Sequence, residues 1–340
     1  MALYLGRQKI APVVDTIDVK LADATESDVL AGKTFFSGNA ELKTGTLEVP
    51  DLSATTATTA DVMQGKKFYN AQGEFVEGSY EASVGKVGQI LDKSIVNLTL
   101  SDLQGAKSIY KNSLEQCHNL ESVVMPNTVT SIGDSAFAFD ESLISVIFEE
   151  GSQLTTIGGQ AFRGCISLDT EIPETVTSIG SYAFYNCALK EIHISKNVTN
   201  IGSSAFSYCK QLEKITFEEG CQITSIGSGT FSDCGNYSSP IEEINLIPCV
   251  NLKSLQNFAF QYTIFKNLKL PSTITNIGSN VVSSGNLNEL TILATTPPTL
   301  NAYSNLSGFK KIYIPKGTLS AYESATNWSA LVSKLVELEA

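Results

Sequence analysis

The 340-residue sequence contains few of the side chains on which enzyme active sites commonly depend. It has two histidines and one tryptophan, and charged residues make up 17% of the chain. A Ser-His-Asp or Cys-His arrangement needs a histidine beside its nucleophile, so only His118 and His193 could serve. Neither a Gly-x-x-x-x-Gly-Lys-Ser/Thr phosphate loop nor a Rossmann glycine motif occurs. The sequence therefore favours a binding or structural protein, without catalytic residues or a cofactor, over an enzyme.

Long apolar runs are also missing from the sequence. No run approaches the ~20 residues of a membrane-spanning helix, and the opening MALYLGRQK lacks the apolar core of a secretory signal. We therefore expect a soluble protein that is made in a cytoplasm and does not insert into a membrane. The formal net charge is −12, and the lysines and arginines form no cluster. Because such a chain repels phosphate backbones, we expect no nucleic-acid partner.

The seven cysteines include no Cys-x-x-Cys pair, so no zinc or other metal site is predicted. The acidic pairs Glu149-Glu150 and Glu218-Glu219 follow no calcium-loop pattern and are interpreted as solvated turns. Five cysteines recur at one repeat position: Cys117, Cys165, Cys187, Cys209 and Cys234. We interpret them as a ladder of small buried thiols. The ~4.8 Å spacing of stacked strands also makes disulfides conceivable.

What the sequence does contain is an internal repeat between residues 108 and 315. The phrase Ile-Gly-x-x-Ala-Phe, followed three residues later by Cys, returns with small variations. Its copies begin at Ile132, Ile157, Ile179, Ile201, Ile226, Leu255 and Ile277. The steps between them are 25, 22, 22, 25, 29 and 22 residues. Self-similarity at a period of roughly 20–29 residues is typical of a leucine-rich-repeat solenoid.

Each repeat also carries a strand pattern, Leu-x-x-Ile-x-Ile, whose alternate apolar residues should face inward. Eight copies are complete, and a ninth at Leu168 to Ile172 has lost one residue. The pattern predicts nine strands around a continuous core, with one strand and a short helix or turn per repeat. We expect the glycine after each Ile to let the backbone turn sharply.

A second, different repeat lies nearer the N-terminus. Residues 24–36, ATESDVLAGKTFF, return at 57–69 as ATTADVMQGKKFY. Thr25 with Asp28, and Thr58 with Asp61, have the capping-box spacing of a helix start. The following aromatic pair and Glu41-Leu42-Lys43 are typical of a hairpin. The sequence thus predicts two small α+β helix-hairpin modules before the solenoid.

These N-terminal residues resemble modules of structural proteins in tailed bacteriophages, especially tail and head fibres. The resemblance spans positions 1–80 and lies in ATESDVLAGKTFFSGNAELKTGT, its second copy, and the opening MALYLGRQKIAP. It implies that Tyr4, Leu5, Gly6 and Arg7 belong to a segment that attaches to other virion proteins. Phage fibres are often trimers, so the resemblance also makes a homotrimer an expectation, although no heptad stretch is visible.

The solenoid phrase, of the form IP-x-x-VT-x-IG-x-x-AF, resembles the BspA-like leucine-rich repeats across the whole array, positions 108–315. That family is abundant in bacterial surface proteins and also occurs in phage structural proteins. The end of the array, Lys311 to Gly317 followed by Ala321-Tyr322 and the only tryptophan, is similar to the way such arrays terminate. We interpret Leu319 to Leu338 as an amphipathic helical lid over the last coil.

The sequence predicts five regions. They are an N-terminal arm (1–20), the two modules (21–80), a linker and N-terminal cap (81–107), the repeats (108–315) and a C-terminal cap (316–340). Solenoids present variable outward residues on a fixed core. The candidate binding positions on the strands are His193, Thr216, Asn245, Lys269, Thr291 and Tyr313, with Val124 and Ile147 in equivalent places. The insertion Asn236 to Pro240 is an alternative site, and the strand positions could equally be solvated residues.

We interpret the chain first as a phage virion protein, a tail or head fibre that binds a host-surface glycan or protein. A bacterial BspA-like surface adhesin is the alternative within the same binding class. A glycan-degrading tailspike is the enzymatic alternative, but no convincing carboxylate pair is visible. Because neighbouring residues on a strand or turn point apart, Cys117 and His118 are not expected to form a catalytic pair.

Overall fold

The computed structural model describes residues 93–103, 105–283 and 287–339, together with four short strands near the N-terminus. Leu3–Leu5 (β1) pairs with Gln8–Ile10 (β2), and Thr34–Phe36 (β3) pairs with Leu42–Thr44 (β4), both antiparallel. The β3–β4 pair coincides with the hairpin expected in the first module. The predicted helices of both modules, and the second module as a whole, lie outside the described residues.

From Lys93 onward the chain winds as a parallel β-solenoid. One side of each coil carries the longer strands, and together these form the front face. The front strands are Asn97–Leu98 (β5), Ser122–Met125 (β7), Ser145–Phe148 (β9), Glu191–Ile194 (β12), Lys214–Phe217 (β14), Ile241–Asn245 (β16), Phe265–Leu270 (β18), Leu287–Ile292 (β20), Phe309–Ile314 (β22) and Leu335–Glu337 (β23). All pairings between them are parallel.

A second side of each coil, the back face, is a stack of two-residue strands that end on the Ile of the repeat phrase. They are Ser108–Ile109 (β6), Ser131–Ile132 (β8), Thr156–Ile157 (β10), Ser178–Ile179 (β11), Asn200–Ile201 (β13), Ser225–Ile226 (β15), Ser254–Leu255 (β17), Asn276–Ile277 (β19) and Thr299–Leu300 (β21). In each strand the second residue is buried. These strands were not predicted, because two residues are too short to show a period.

The third side, the arc, contains the Ala-Phe pair of each repeat and is held by regular backbone hydrogen bonds. The amide of Phe162 donates to the carbonyl of Ala183 at 2.7 Å, and that of Phe184 donates to Ala205 at 2.7 Å. The phenylalanine rings lie on one another in the core, with centroids 5.1–5.6 Å apart from Phe137 to Phe260. Such stacking adds to the burial free energy of each ring. The described coils contain turns here and no helix before Leu306.

The repeated glycine plays a different role from the one expected. A Cβ built on Gly180 would lie 2.4 Å from the amide nitrogen of Gly159, and one on Gly202 would lie 2.3 Å from that of Ser181. Neither glycine has a positive φ. The glycine is therefore needed because backbones of successive coils approach too closely for a side chain, not because the chain turns there.

The cysteine ladder consists of buried free thiols, as interpreted from the sequence. From Cys165 on, each thiol donates to the carbonyl of the preceding coil's phenylalanine: the Cys165 sulfur lies 3.0 Å from the Phe137 oxygen and the Cys187 sulfur 3.1 Å from that of Phe162. The same position is occupied by Asp140 in one coil and Thr263 in another, both buried. The Thr263 hydroxyl donates to the Phe231 carbonyl as the thiols do, whereas Asp140 accepts the Cys117 amide.

One expectation about an individual element was wrong, because the shortened copy at Leu168 to Ile172 forms no strand. The C-terminal cap is helical over part of the expected range: a short helix, Leu319–Ser324 (α1), and a 3-10 helix, Ser329–Lys334, are followed by β23, which pairs with β22 as a last rung. The lid is fastened by polar contacts, since the Trp328 indole donates to the Pro298 carbonyl at 2.9 Å and the Tyr322 hydroxyl to Ala294 at 2.7 Å. No helix in the described ranges has the length and apolar content to cross a membrane.

Asp140 makes the stability of the solenoid depend on pH. Its Oδ1 accepts the Cys117 amide at 2.6 Å, while its buried Oδ2 has no partner. Burial raises the pKa of this carboxyl from 3.8 to about 8, opposed mainly by the Cys117 amide. The folded-state pKa of Asp140 therefore lies above the unfolded one. As a result, the contribution of this carboxyl to the free energy of unfolding is fully present below pH ~4 and is lost as the pH rises through 8, where Asp140 ionises in the folded protein. The loss is at most on the order of 5 kcal/mol.

We expect Asp140→Cys, which restores the ladder residue, to remove this dependence. Urea unfolding followed between pH 4 and pH 7 should show wild-type stability falling with pH and that of the variant staying nearly level. Glu141→Gln, at the exposed neighbouring position, serves as the control and should fall like the wild type. Parallel slopes for wild type and Asp140→Cys would contradict the assignment.

Candidate functional site

The structure places the predicted strand positions in columns on the front face. Val124 lies opposite Ile147, and His193 opposite Thr216. A third set contains four residues that lie opposite one another in register on successive strands: Asn245, Lys269, Thr291 and Tyr313. The six candidate residues therefore lie on one face, in two separate groups.

Neighbouring side chains on this face contact one another from coil to coil. The His193 Nδ1 lies 2.9 Å from the Thr216 hydroxyl. Beside the column, Lys214 pairs with Glu191 at 3.0 Å and Lys266 with Glu242 at 2.5 Å, while Lys269 of the column itself pairs with Glu243 at 2.9 Å. Exposed pairs of this kind contribute little to stability. Their effect is to leave much of the C-terminal half of the front face locally neutral and rich in hydrogen-bonding groups.

The predicted N-terminal attachment residues are only partly among the described residues. Tyr4 and Leu5 belong to β1, where they lie opposite Lys9 and Gln8. Gly6 and Arg7 lie outside the described residues. The attachment role of these four residues stays a prediction.

The front sheet is interrupted at the coil that has lost a residue. The coil between β9 and β12 forms no strand, so these two front strands are not joined through it. At this point of the strand pattern other coils have two residues, one of them an inward Ile or Val, whereas this coil has only Thr170. Thr170 and Asp169 replace part of the missing ladder with their side chains. The Thr170 hydroxyl donates to the Val146 carbonyl at 2.7 Å, and the Asp169 carboxylate accepts the Lys190 amide at 3.2 Å. The shortened strand pattern is thus compensated without a strand.

This interruption opens a groove with a volume of about 870 Å³, which we call groove 1. Ile147, which is 56% exposed, and the half-buried Ile172 contribute apolar surface. The charged residues that line it are Glu149, Asp169, Glu171, Glu174, Lys190 and Glu191. Five carboxylates against one ammonium group make groove 1 acidic. It suits a ligand with many hydroxyl groups, or one with positive charge.

A second interruption separates β14 from β16. The back strands β13 and β15 do not pair with each other either. The back sheet therefore stops between the coils of β13 and β15, and the front sheet stops one coil later, between β14 and β16. We call this place the seam. The seam coincides with a looser approach of the coils, since a Cβ on Gly227 would lie 3.3 Å from the nearest atom of the preceding coil, the Ile201 carbonyl oxygen, rather than 2.3–2.7 Å as at the other Ile-Gly glycines. A smaller groove of about 380 Å³ lies at the seam, lined by Lys214, Thr216, Glu243 and Asn245 among others.

His193 and Thr216 therefore stand on a two-strand island between the two grooves. Near the edge of this island Lys196 bonds to Glu218 at 2.8 Å. That hydrogen bond is the main reason that the pKa of Glu218 is lowered. The island thus carries an imidazole, a hydroxyl and two ion pairs, which can donate and accept hydrogen bonds.

The residues weighed for catalysis are not assembled into a reactive site. Burial raises the pKa of the Cys117 thiol to about 12, so the nucleophilic thiolate is disfavoured, while His118 is exposed. The described part of the chain brings together no group of three or more His, Cys, Asp or Glu side chains that could hold a metal ion.

The grooves were missed in the sequence, although both left a signal there. Groove 1 corresponds to the missing residue in the Leu168 to Ile172 copy. The seam corresponds to the 25- and 29-residue steps on either side of Ile226. A change of repeat length indicates where a coil departs from the pattern, but not whether it bulges, breaks the sheet or opens a groove.

The chain belongs to the BspA type leucine-rich repeat region family. The family model matches six copies, over residues 91–169, 138–247 and 236–333. These matches cover the described solenoid up to residue 333, so the resemblance noted in the repeat phrase is confirmed. A comparison with functionally described proteins gave no match.

Solved structures similar to this chain include three bacterial proteins, two of them described as leucine-rich. One from Bacteroides ovatus is 24% identical, with 72% of this chain and 69% of that one aligned and a TM-score of 0.46. The pneumococcal vaccine antigen PcpA is 15% identical over 100% and 99% of the two chains, with a TM-score of 0.41. A leucine-rich cell surface protein from Faecalibacterium prausnitzii is 20% identical over 68% and 91%, with a TM-score of 0.23.

Restoring the missing residue should close groove 1. We expect insertion of one valine between Thr170 and Glu171 to complete the strand pattern and to pair this coil with β9 and β12. Hydrogen–deuterium exchange should then show slower exchange of the amides in Ser145–Phe148 and Glu191–Ile194. Thr170→Val without insertion is the matched control and should speed exchange there, because the Val146 carbonyl loses its donor. Unchanged protection in the insertion variant would show that the missing residue does not cause the break.

Proposed function

We propose that the protein is a non-enzymatic binding protein of the adhesin type, which holds its ligand against the front face. The observation that carries this proposal is the arrangement of that face: in-register columns of outward side chains interrupted by two grooves. The core behind it repeats from coil to coil, so the outward residues are free to match a ligand. Family membership supports an extended binding surface as the use of the fold.

The chemistry of the face favours a ligand that makes many polar contacts over a long surface, such as a cell-surface glycan. Asn245, Thr291 and Tyr313 offer uncharged hydrogen-bonding groups, and the nearby charges are largely paired. Groove 1 adds carboxylates that accept hydrogen bonds from hydroxyl groups. A basic protein segment is the other ligand class that its charge suits.

The proposal predicts that changes on the front face weaken binding without unfolding the protein. We would prepare the triple variant His193→Ala, Lys269→Glu and Tyr313→Ala, and test it on a glycan array and on intact bacterial cells. Loss of several contacts at about 1 kcal/mol each should weaken binding by 10-fold or more. Circular dichroism and melting curves should match those of the wild type, since the three side chains face outward.

The matched control changes the same chemistry elsewhere. Lys253→Glu with Tyr303→Ala alters an exposed lysine and an exposed tyrosine outside the front face and should leave binding intact. Equal weakening by both variants, or by neither, would place the binding site elsewhere, with the Asn236 to Pro240 insertion the next segment to change. Release of reducing sugar during incubation would favour the glycan-degrading alternative instead.

A second, more specific proposal is that the protein is a fibre of a phage virion, located on the particle and attached by its N-terminal region to other virion proteins. The observation in its favour is the pair of sequence repeats before the solenoid. Mass spectrometry of purified particles should then detect the chain, and cross-linking should connect Tyr4 and its neighbours to virion proteins. Detection only on bacterial cell surfaces would support the bacterial adhesin. A native mass of three chains would support the homotrimer.

A further inference from the structure

Two of the seven cysteines lie outside the ladder and face each other across the seam. Cys221 follows β14 and Cys249 follows β16, in equivalent turns of successive coils. Both are buried free thiols. Nothing in the binding face or in the repeated core requires a cysteine at these two positions, since the equivalent residues of other coils include Ser152 and Ser195.

Three hydrogen bonds between the two turns bring these cysteines together. The Gly220 amide donates to the Pro248 carbonyl at 3.1 Å, immediately before each cysteine. Just after them the Asn251 side chain donates to the Gln222 side chain at 2.8 Å, and the Lys253 amide donates to the Thr224 carbonyl at 2.8 Å. The turns thus run side by side in the same direction. Equivalent residues of adjacent coils, about 4.8 Å apart, fall within the Cα range of a disulfide.

The two side chains also affect each other's ionisation. The side-chain interaction with Cys249 is the main reason that the pKa of Cys221 is lowered to about 7, and burial opposes it. The same interaction and burial raise the pKa of Cys249. One sulfur is therefore poised as the thiolate nucleophile at neutral pH, with the second thiol beside it.

The ladder cysteines differ in both respects. Cys165, Cys187, Cys209 and Cys234 each donate to a backbone carbonyl, so their thiols are already engaged. Burial raises the pKa of Cys165, Cys187 and Cys234. Among the seven cysteines, Cys221 and Cys249 are thus the pair with a reactive thiolate and an immediate partner.

We propose that Cys221 and Cys249 are a redox modification site, at which a reversible disulfide fastens the seam. The Cys221 thiolate attacks a small-molecule disulfide such as oxidised glutathione, forming a mixed disulfide and releasing one glutathione thiolate. Cys249 then loses its proton and attacks the Cys221 sulfur, which releases the second glutathione thiolate. The protein is oxidised by two electrons and glutathione disulfide is reduced to two thiols.

The position of this bond gives it a structural consequence. At the step from β14 to β16 the described solenoid lacks the front ladder, while the back strands β15 and β17 of the same two coils are paired. A covalent link from the end of β14 to the end of β16 takes the place of the missing front ladder. The reaction needs a local opening of the turn, whose neighbours Gln222 and Val250 are already exposed.

The test uses the full-length protein. It is equilibrated at pH 8 with oxidised glutathione, quenched with acid, denatured and alkylated, and its intact mass is measured. The expected result is five alkylated cysteines of the seven, one internal disulfide, and a peptide map that joins Cys221 to Cys249. Oxidised protein should also melt at a higher temperature than the same sample after reduction.

Variants separate this pair from the ladder. Cys249→Ser should leave Cys221 as a stable mixed disulfide with glutathione, whereas Cys221→Ser should leave all six remaining thiols free for alkylation. Cys187→Ser, a ladder control, should still lose two thiols. Seven alkylated cysteines in the oxidised wild type, or a link between any other pair, would overturn the proposal, and the wild-type map decides this even where a variant does not fold.

Discussion

The structure depends on the close contact of each coil with the next. At the repeated Ile-Gly the backbones approach so closely that a Cβ would lie within 3 Å of the preceding coil in most repeats. This approach sets the spacing at which back strands pair, phenylalanine rings lie 5.1–5.6 Å apart, and ladder side chains reach the preceding carbonyl. Because each coil buries its apolar residues only against its neighbours, any local change in spacing affects packing on all three sides.

The interruptions of the front face follow from this constraint. At Thr170 one residue is missing, yet the back strands β10 and β11 remain paired and the phenylalanine stack continues. The deficit is therefore confined to the front, where it opens groove 1. At the seam the coils are longer, both sheets lose pairing, and the stack from Phe206 to Phe231 still holds the core at 5.3 Å. Places where the repeat deviates are thus the places where the surface becomes concave and chemically distinct.

The sequence predicted much of the fold because each structural position recurs in many copies of the repeat. The inward residues of the front strands, the phenylalanine positions and the thiol ladder all follow from period and spacing. The membership of Asp140 and Thr263 in the ladder could also have been read from their place three residues after a phenylalanine. The back strands could not, since a two-residue strand has no period and exists only through its partners in adjacent coils.

The sequence by itself determined the architecture, the inward residues and the outward column from His193 to Tyr313. Only the tertiary structure decided how that column is divided and why the glycines recur, because both depend on distances between coils rather than on neighbours along the chain. The same holds for Cys221 and Cys249. They are separated in the chain by a full coil, and only the stacking of two unequal coils places one thiol against the other.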